Sequence, residues 1–211
     1  MAVRREGICR YMGSGLARGN SIGSVLNTFA PKNAAKRLAL EWLAFRAGRI
    51  PVASADLSGQ PILVMSLGGI GNTLMATPML SALKTCYPDS PIDLLTTPPA
   101  AALLADSANI RTIISEDSYR ARGLRGYWAV QRRLQQEQYA CVFYALNLMV
   151  MSYAARGVIA GIPRRVMHRY RYRAYEDSNR LGTDVFDRNP DHHDAEANVD
   201  LVRAVAKRSV D

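Results

Sequence analysis

Cysteine is scarce in this chain of 211 residues. Cys9, Cys86 and Cys141 lie far apart and form no CxxC pair, which excludes a disulfide framework and a zinc ribbon. Long apolar runs are missing as well: no stretch reaches the ~20 residues needed to span a bilayer. The N-terminus carries arginines but lacks the apolar run and small-residue cleavage site of a secretory signal. A reducing cytoplasm is the expected setting. Acidic residues are nearly absent from the first 50 positions, where nine arginines and lysines face only Glu6 and Glu41, so this segment holds +7 of the net +9. The remainder is close to neutral, with locally basic stretches at 120–133 and 164–173. An acidic partner follows from that balance. Charge gathered at one end argues against a folded nucleic-acid platform and suits an anionic membrane surface.

Residues 1–31 are rich in Gly, Ser, Asn and Arg without periodicity, which predicts a flexible basic arm. From Asn33 the pattern "NAAKRLALEWLAFRAGR" places Leu38, Trp42 and Phe45 at helical spacing with Leu40 and Leu43 alongside, Asn33 as N-cap and Gly48 as stop. An amphipathic helix with flanking Lys and Arg can lie on an anionic membrane or pack on its own domain. Arm and helix are expected over residues 1–58, and a second unit over 59–211.

From Gln60 the signals alternate. "PILVMSL", "PIDLLTT", "IRTIISED" and "YACVFYAL" have strand length and apolar content, and "PRRVMHRY" opens a further strand. Between them "NTLMATPMLSALKTCY", "PAAALLADS", "GYWAVQRRLQQEQ" and "MVMSYAARGVIAG" carry helical spacing, and "DAEANVDLVRAVAKR" forms a last helix with Asp194 as its cap. Strands alternating with helices predict an α/β fold, a Rossmann-like doubly wound parallel sheet.

In such sheets the first turn from strand to helix faces the ligand. Here it reads "LGGIGNT", with Gly68, Gly69 and Gly71 removing side chains where the backbone turns, so that amides at the helix start can face an anion. Two nucleotide fingerprints fail. GxGxxG would need glycine where Leu74 stands, and the second strand ends in Thr96 and Thr97 without a ribose-binding acid. A Walker loop would need Gly-Lys-Ser/Thr, whereas Gly71 is followed by Asn72 and Thr73. No cofactor is expected.

The stretch "ILVMSLGGIGNTLMATPMLSALKTCYPDSPIDLLT", followed by "LQQEQYACVFYALN", "AGIPRRV" and "HDAEANVDLVRAV", resembles the ADP-heptose:lipopolysaccharide heptosyltransferases of glycosyltransferase family 9. The resemblance covers about residues 60–206. It implies a GT-B fold of two Rossmann-like domains, the first binding a sugar acceptor and the second a nucleotide-sugar donor. This chain is expected to be the first half alone, ending where the donor-binding domain would begin. The implied function is transfer of a sugar from a nucleotide-sugar to an anionic, lipopolysaccharide-type acceptor at the inner face of the membrane, impaired for want of the second half. The alternative is a binding module without catalysis.

The family's turn usually ends in Gly-Asp, the aspartate acting as general base, and the matching residue is Asn72. An amide lacks the basicity for that role, although it can orient an acceptor or cap the following helix. The resemblance further implies Gly68, Gly69, Gly71 and Thr73 as acceptor contacts, with His193 at the start of the last helix. Arg164, with Arg165, follows "GIP" and is expected in a loop near the cleft, either gripping an acidic sugar or lipid phosphate or simply solvated. Pro78 is expected to kink its helix. Tyr144 and Ala145 end the fourth strand where relatives tend to carry an acid. "HRYRYRAY", residues 168–175, fits an exposed strand better than a base-stacking surface. "DHHD", residues 191–194, has too few convergent ligands for a metal.

Overall fold

The computed structural model describes residues 31–51, 56–116, 119–145, 151–171 and 176–208. Residues 1–30 of the arm expected over 1–31, and the end of "HRYRYRAY", lie outside them. The chain divides after Leu38, and Ala39–Asp211 forms one unit.

Helix α1 spans Pro31–Ala47. It begins two residues before Asn33, since proline is tolerated in a first turn where its missing N–H costs nothing. It ends beside Gly48 as expected. After it come β1 (Ile62–Ser66), α2 (Ile70–Leu74), α3 (Thr77–Cys86), β2 (Ile92–Thr96), α4 (Pro98–Leu103) and β3 (Thr112–Ser115). The remainder is α5 (Tyr119–Gln136), β4 (Cys141–Tyr144), α6 (Met151–Ala160), β5 (Arg164–His168), a 3₁₀ turn (Glu176–Leu181), β6 (Asp184–Phe186) and α7 (Asp194–Arg208). The strands form one six-stranded sheet in the order β3-β2-β1-β4-β5-β6, every pair parallel. The doubly wound fold read from the sequence is therefore present.

Helices cover both faces, so the central strands are buried along their whole length, and β1 and β4 are apolar almost throughout. Alternate side chains sort between two cores. Leu63, Met65, Leu95, Val142, Tyr144 and Met167 pack on one face, with Leu40 and Leu43 of α1, Leu134 of α5 and Val158 of α6. Ile62, Val64, Ile92, Leu94, Phe143 and Val166 pack on the other, with Met79, Leu80 and Leu83 of α3 and Leu201, Val202 and Val205 of α7. Of the apolar positions of α1, Leu40 and Leu43 are buried while Leu38, Trp42 and Phe45 remain exposed.

Three more expectations change. "NTLMATPMLSALKTCY" is two helices, and Pro78 stands in the first turn of the second, where proline starts a helix without kinking one. The strand at "HRYRYRAY" stops at His168. The short β6 and the 3₁₀ turn carry no periodicity long enough to be seen in the sequence.

Polar clasps close the sheet's amino edge. Buried Asp93 accepts from Arg111 Nε at 2.8 Å, Arg111 Nη2 at 2.5 Å and the Tyr139 hydroxyl at 2.6 Å. This supplies the partners a buried carboxylate requires. Helix α6 ends in a Schellman motif at Gly161 (φ +79), with Ile162 N–H donating to Gly157 O at 2.9 Å and Gly161 N–H to Val158 O at 3.1 Å. Arg46 of α1 adds hydrogen bonds to Val158 O and Ile159 O, each at 3.4 Å. A cation at a helix C-terminus meets the negative end of its dipole.

At the other edge, His168 is buried at the end of β5, its Nε2–H donating to Ala197 O of α7 at 2.8 Å. Burial lowers its pKa below the ordinary 6.5. The unfolded chain takes up a proton near that value while the folded ring resists it, so stability should fall as the pH drops through about 6.5. Urea midpoints measured above and below that pH should show the loss, and His168→Gln should flatten it.

Candidate functional site

The direction of the strand order reverses at β1, which lies between β2 and β4. The crevice of such a sheet opens beyond the carboxyl ends of the two strands at that switch point. Those ends are Ser66 and Tyr144, joined where Ala145 N–H donates to Met65 O at 3.1 Å. Residues 146–150, next along from β4, lie outside the described ones.

The turn after β1 is shaped by a close approach. A Cβ on Gly68 would stand 2.3 Å from Asn72 Nδ2 and 2.9 Å from Asn72 Cβ, so the absence of a side chain at Gly68 is what lets the Asn72 side chain fold over it. Gly69 and Gly71 have open space instead. Gly69 is the N-cap of α2, in extended conformation and without a side-chain cap. Asn72 is thus inside the first turn. The cap expected of Asn72 is overturned: its side chain lies on the exposed surface of the turn, against Gly68.

Thr73 behaves differently. It is buried, and its hydroxyl lies 3.1 Å from Ser66 Oγ and 3.1 Å from Thr96 Oγ1. Three hydroxyls in a row tie α2 to the ends of β1 and β2 and occupy the group that was expected to meet an acceptor. Asn198 of α7 adds a second tie, donating to Met75 O at 2.9 Å. The turn is therefore held on three sides, and Asn72 is the polar side chain it presents outward.

Arg164 is at the wrong edge for the role expected of it. It opens β5 and pairs in register with Cys141, which in turn opens β4, so it belongs to the amino edge, opposite the glycine turn. Its guanidinium reaches Asp184 of β6 at 3.3 and 3.4 Å, and the pair is largely buried. Arg165 is also internal, donating to Leu181 O, Ile162 O and Pro163 O. Both arginines clamp the β5–β6 edge.

His193 lies on the carboxyl side, just before α7. Its Nδ1 accepts from Ala195 N–H at 3.3 Å, and its own N–H donates to Glu196 Oε2 at 3.3 Å. This reciprocal arrangement is a capping box, so His193 takes the cap expected of Asp194. Its ring is exposed. His192 pairs with Asp200 at 2.5 Å, and no group of three or more metal-capable side chains occurs among the described residues. Tyr144 turns into the core, its hydroxyl donating to Ala154 O at 3.0 Å.

One polar cluster at this edge was not singled out in the sequence. Glu116, directly after β3, pairs with the buried Arg156 of α6, whose guanidinium lies 4.4 Å from the Tyr127 ring centroid. Burial raises the Glu116 carboxyl above its ordinary range while Arg156 pulls it back. Glu116 Oε2, Arg156 Nε and Nη1, and Gln131 Oε1 find no hydrogen-bond partner among the described residues. Such atoms are costly unless water or a ligand meets them. The signal was available: Arg156 is the lone charge in "MVMSYAARGVIAG".

No protein-family model matches the sequence, and comparison with curated proteins finds no match. Solved structures do match. E. coli ADP-heptose lps heptosyltransferase II is 23% identical with a TM-score of 0.54, over 67% of this chain and 40% of that one. The glycosyl transferase family 9 structure from Veillonella parvula DSM 2008 is 16% identical with a TM-score of 0.61, over 72% and 42%. E. coli heptosyltransferase WaaC with ADP is 17% identical with a TM-score of 0.57, over 69% and 46%. Identities this low establish likeness of fold. The chain thus shares the Rossmann-like fold of heptosyltransferases and glycosyltransferase family 9 members, over a span that amounts to less than half of their length.

Proposed function

We propose that this chain is the acceptor-binding part of a heptosyltransferase-like glycosyltransferase, which moves a sugar from a nucleotide-sugar onto an anionic glycolipid. The observation that carries this is the glycine turn at the switch point, braced from beneath by Ser66, Thr73 and Thr96 and presenting Asn72 outward, in a fold shared with heptosyltransferases. In the transfer an acceptor hydroxyl attacks the anomeric carbon as the bond to the diphosphate breaks, and the hydroxyl proton passes to solvent water. Asn72 holds the acceptor by hydrogen bonds and takes no proton. Positive groups that stabilise the leaving diphosphate belong to a donor-binding partner.

Asn72 also favours a second reading, a module that binds the glycolipid without catalysis. Both require an acceptor in the crevice. Titrating the chain with a soluble, acidic lipopolysaccharide-core oligosaccharide should shift the amide NMR signals of Gly68, Gly69, Gly71 and Asn72 and leave those of Arg164 and Arg165 in place. Shifts confined to the amino edge, or none at all, would sink both readings. Adding an ADP-sugar and a donor-binding domain then separates them, since only the transferase yields product.

A further inference from the structure

Helix α1 carries two apolar stripes, and the sheet uses one. Leu40 and Leu43 are buried in the core, with Ala47 and Ile50 packed against them. Trp42 and Phe45 point elsewhere and are 56% and 59% exposed. Each exposed ring has an arginine beside it: the Arg46 guanidinium lies 5.9 Å from the Trp42 ring centroid and that of Arg49 lies 3.9 Å from the Phe45 ring centroid. Pro51 and Gly161 border the same surface depression.

Charge distinguishes this stripe from an ordinary exposed aromatic pair. The single acid of α1, Glu41, is held by Arg180 through paired hydrogen bonds of 2.8 and 3.0 Å. Among the described residues no acid lines the depression, and the segment before residue 51 holds +7 of the net +9. Tryptophan and phenylalanine flanked by arginine suit the headgroup layer of a bilayer, where rings sit among acyl carbons and guanidinium groups meet phosphates. No helix of the described residues is long and apolar enough to cross a membrane, so any attachment by this stripe lies in the interfacial plane.

We propose that the exposed stripe of α1 docks on an anionic phospholipid surface, with Trp42 and Phe45 entering the headgroup layer and Arg49 pairing with lipid phosphate. Arg46 remains with the carbonyls of α6 and fixes the angle at which the rings are presented. Attachment of this kind places the carrying domain beside its lipid-borne ligand, yet it stands apart from the function of the glycine turn and can fail without it.

The test is sedimentation of the full chain with phosphatidylcholine vesicles, with and without phosphatidylglycerol. The expected result is binding to the anionic vesicles, weakened by salt, and about tenfold or more weaker in Trp42→Ser/Phe45→Ser and in Arg49→Glu. In a Trp128→Phe background the emission of Trp42 should shift to the blue on binding. Circular dichroism should show both variants folded, because the altered side chains lie outside the core. Equal binding by the variants, which keep residues 1–30, would assign attachment to the basic arm and overturn the proposal. So would equal binding to neutral vesicles, no binding at all, or binding lost with Trp128→Ser instead.

Discussion

Replacing Asn72 by aspartate should raise the rate of sugar transfer by about a hundredfold or more, the usual contribution of a positioned general base. The measurement is turnover with an ADP-sugar and a lipopolysaccharide-type acceptor, after a donor-binding domain has been supplied in the same chain or added to it. The substitution is nearly isosteric. Asn72 lies over Gly68 on the exposed surface of the turn, so an aspartate side chain fits the same space and directs an oxygen where an amide group now is. An amide has no useful basicity, whereas a carboxylate can accept the proton as the acceptor oxygen bonds to the anomeric carbon. The gain should appear in kcat with KM little changed, and should disappear as acid protonates the new carboxylate. Asn72→Ala separates positioning from proton transfer: it should raise KM if the amide orients the acceptor. Turnover by Asn72→Asp no faster than by the parent would refute the view that a missing base limits this site.

Gly157→Ala should destabilise the folded unit by about 3 kcal/mol, a sum of overpacking and a disturbed buried hydrogen bond. The added Cβ would stand 2.3 Å from Tyr144 Oη, 3.3 Å from Val142 Cγ1 and 3.4 Å from Arg165 Cδ. None of these can withdraw easily. Tyr144 is 1% exposed on a central strand with its hydroxyl bonded to Ala154 O at 3.0 Å, and Arg165 is held by three carbonyls. For a domain of this size the loss corresponds to a fall in Tm of roughly 10 °C. Tyr144→Phe removes the clashing oxygen, so the double variant should recover at least about 1 kcal/mol relative to additivity. Calorimetry of the four proteins gives the cycle, and a neutral Gly157→Ala would show that α6 can slide away from β4.

The same pair shows why the end of β4 differs from what a catalytic edge would need. Tyr144 occupies the position where an acidic residue was expected by resemblance, and its ring is committed to packing under α6.

Much of this was legible in the chain. Strand-length apolar runs alternating with helical spacing identify a parallel sheet covered on both faces, because only such strands are apolar at every position. The turn after the first strand must lie at the carboxyl edge in that topology, so the placement of Gly68 to Asn72 there follows from order alone. The failure of the Arg164 expectation has the same root: Gly161, Ile162 and Pro163 connect a helix to a strand, and in a parallel sheet such turns lie at the amino edge. Arg156 is the lone charge of "MVMSYAARGVIAG", but its partner Glu116 lies 40 residues away, so the pair is not legible in local spacing.

What the sequence determined by itself, then, was the fold class, the order of its elements and the turn that meets the crevice, since local periodicity and turn chemistry encode these over a few residues. Only the tertiary structure decided which stripe of α1 is buried, that Asn72 folds over Gly68 and caps nothing, that Thr73 binds Ser66 and Thr96, and that Glu116 meets Arg156. Each of those depends on atoms brought together from positions far apart or on the rotation of one helix by part of a turn, and neither is written in the spacing of neighbouring residues.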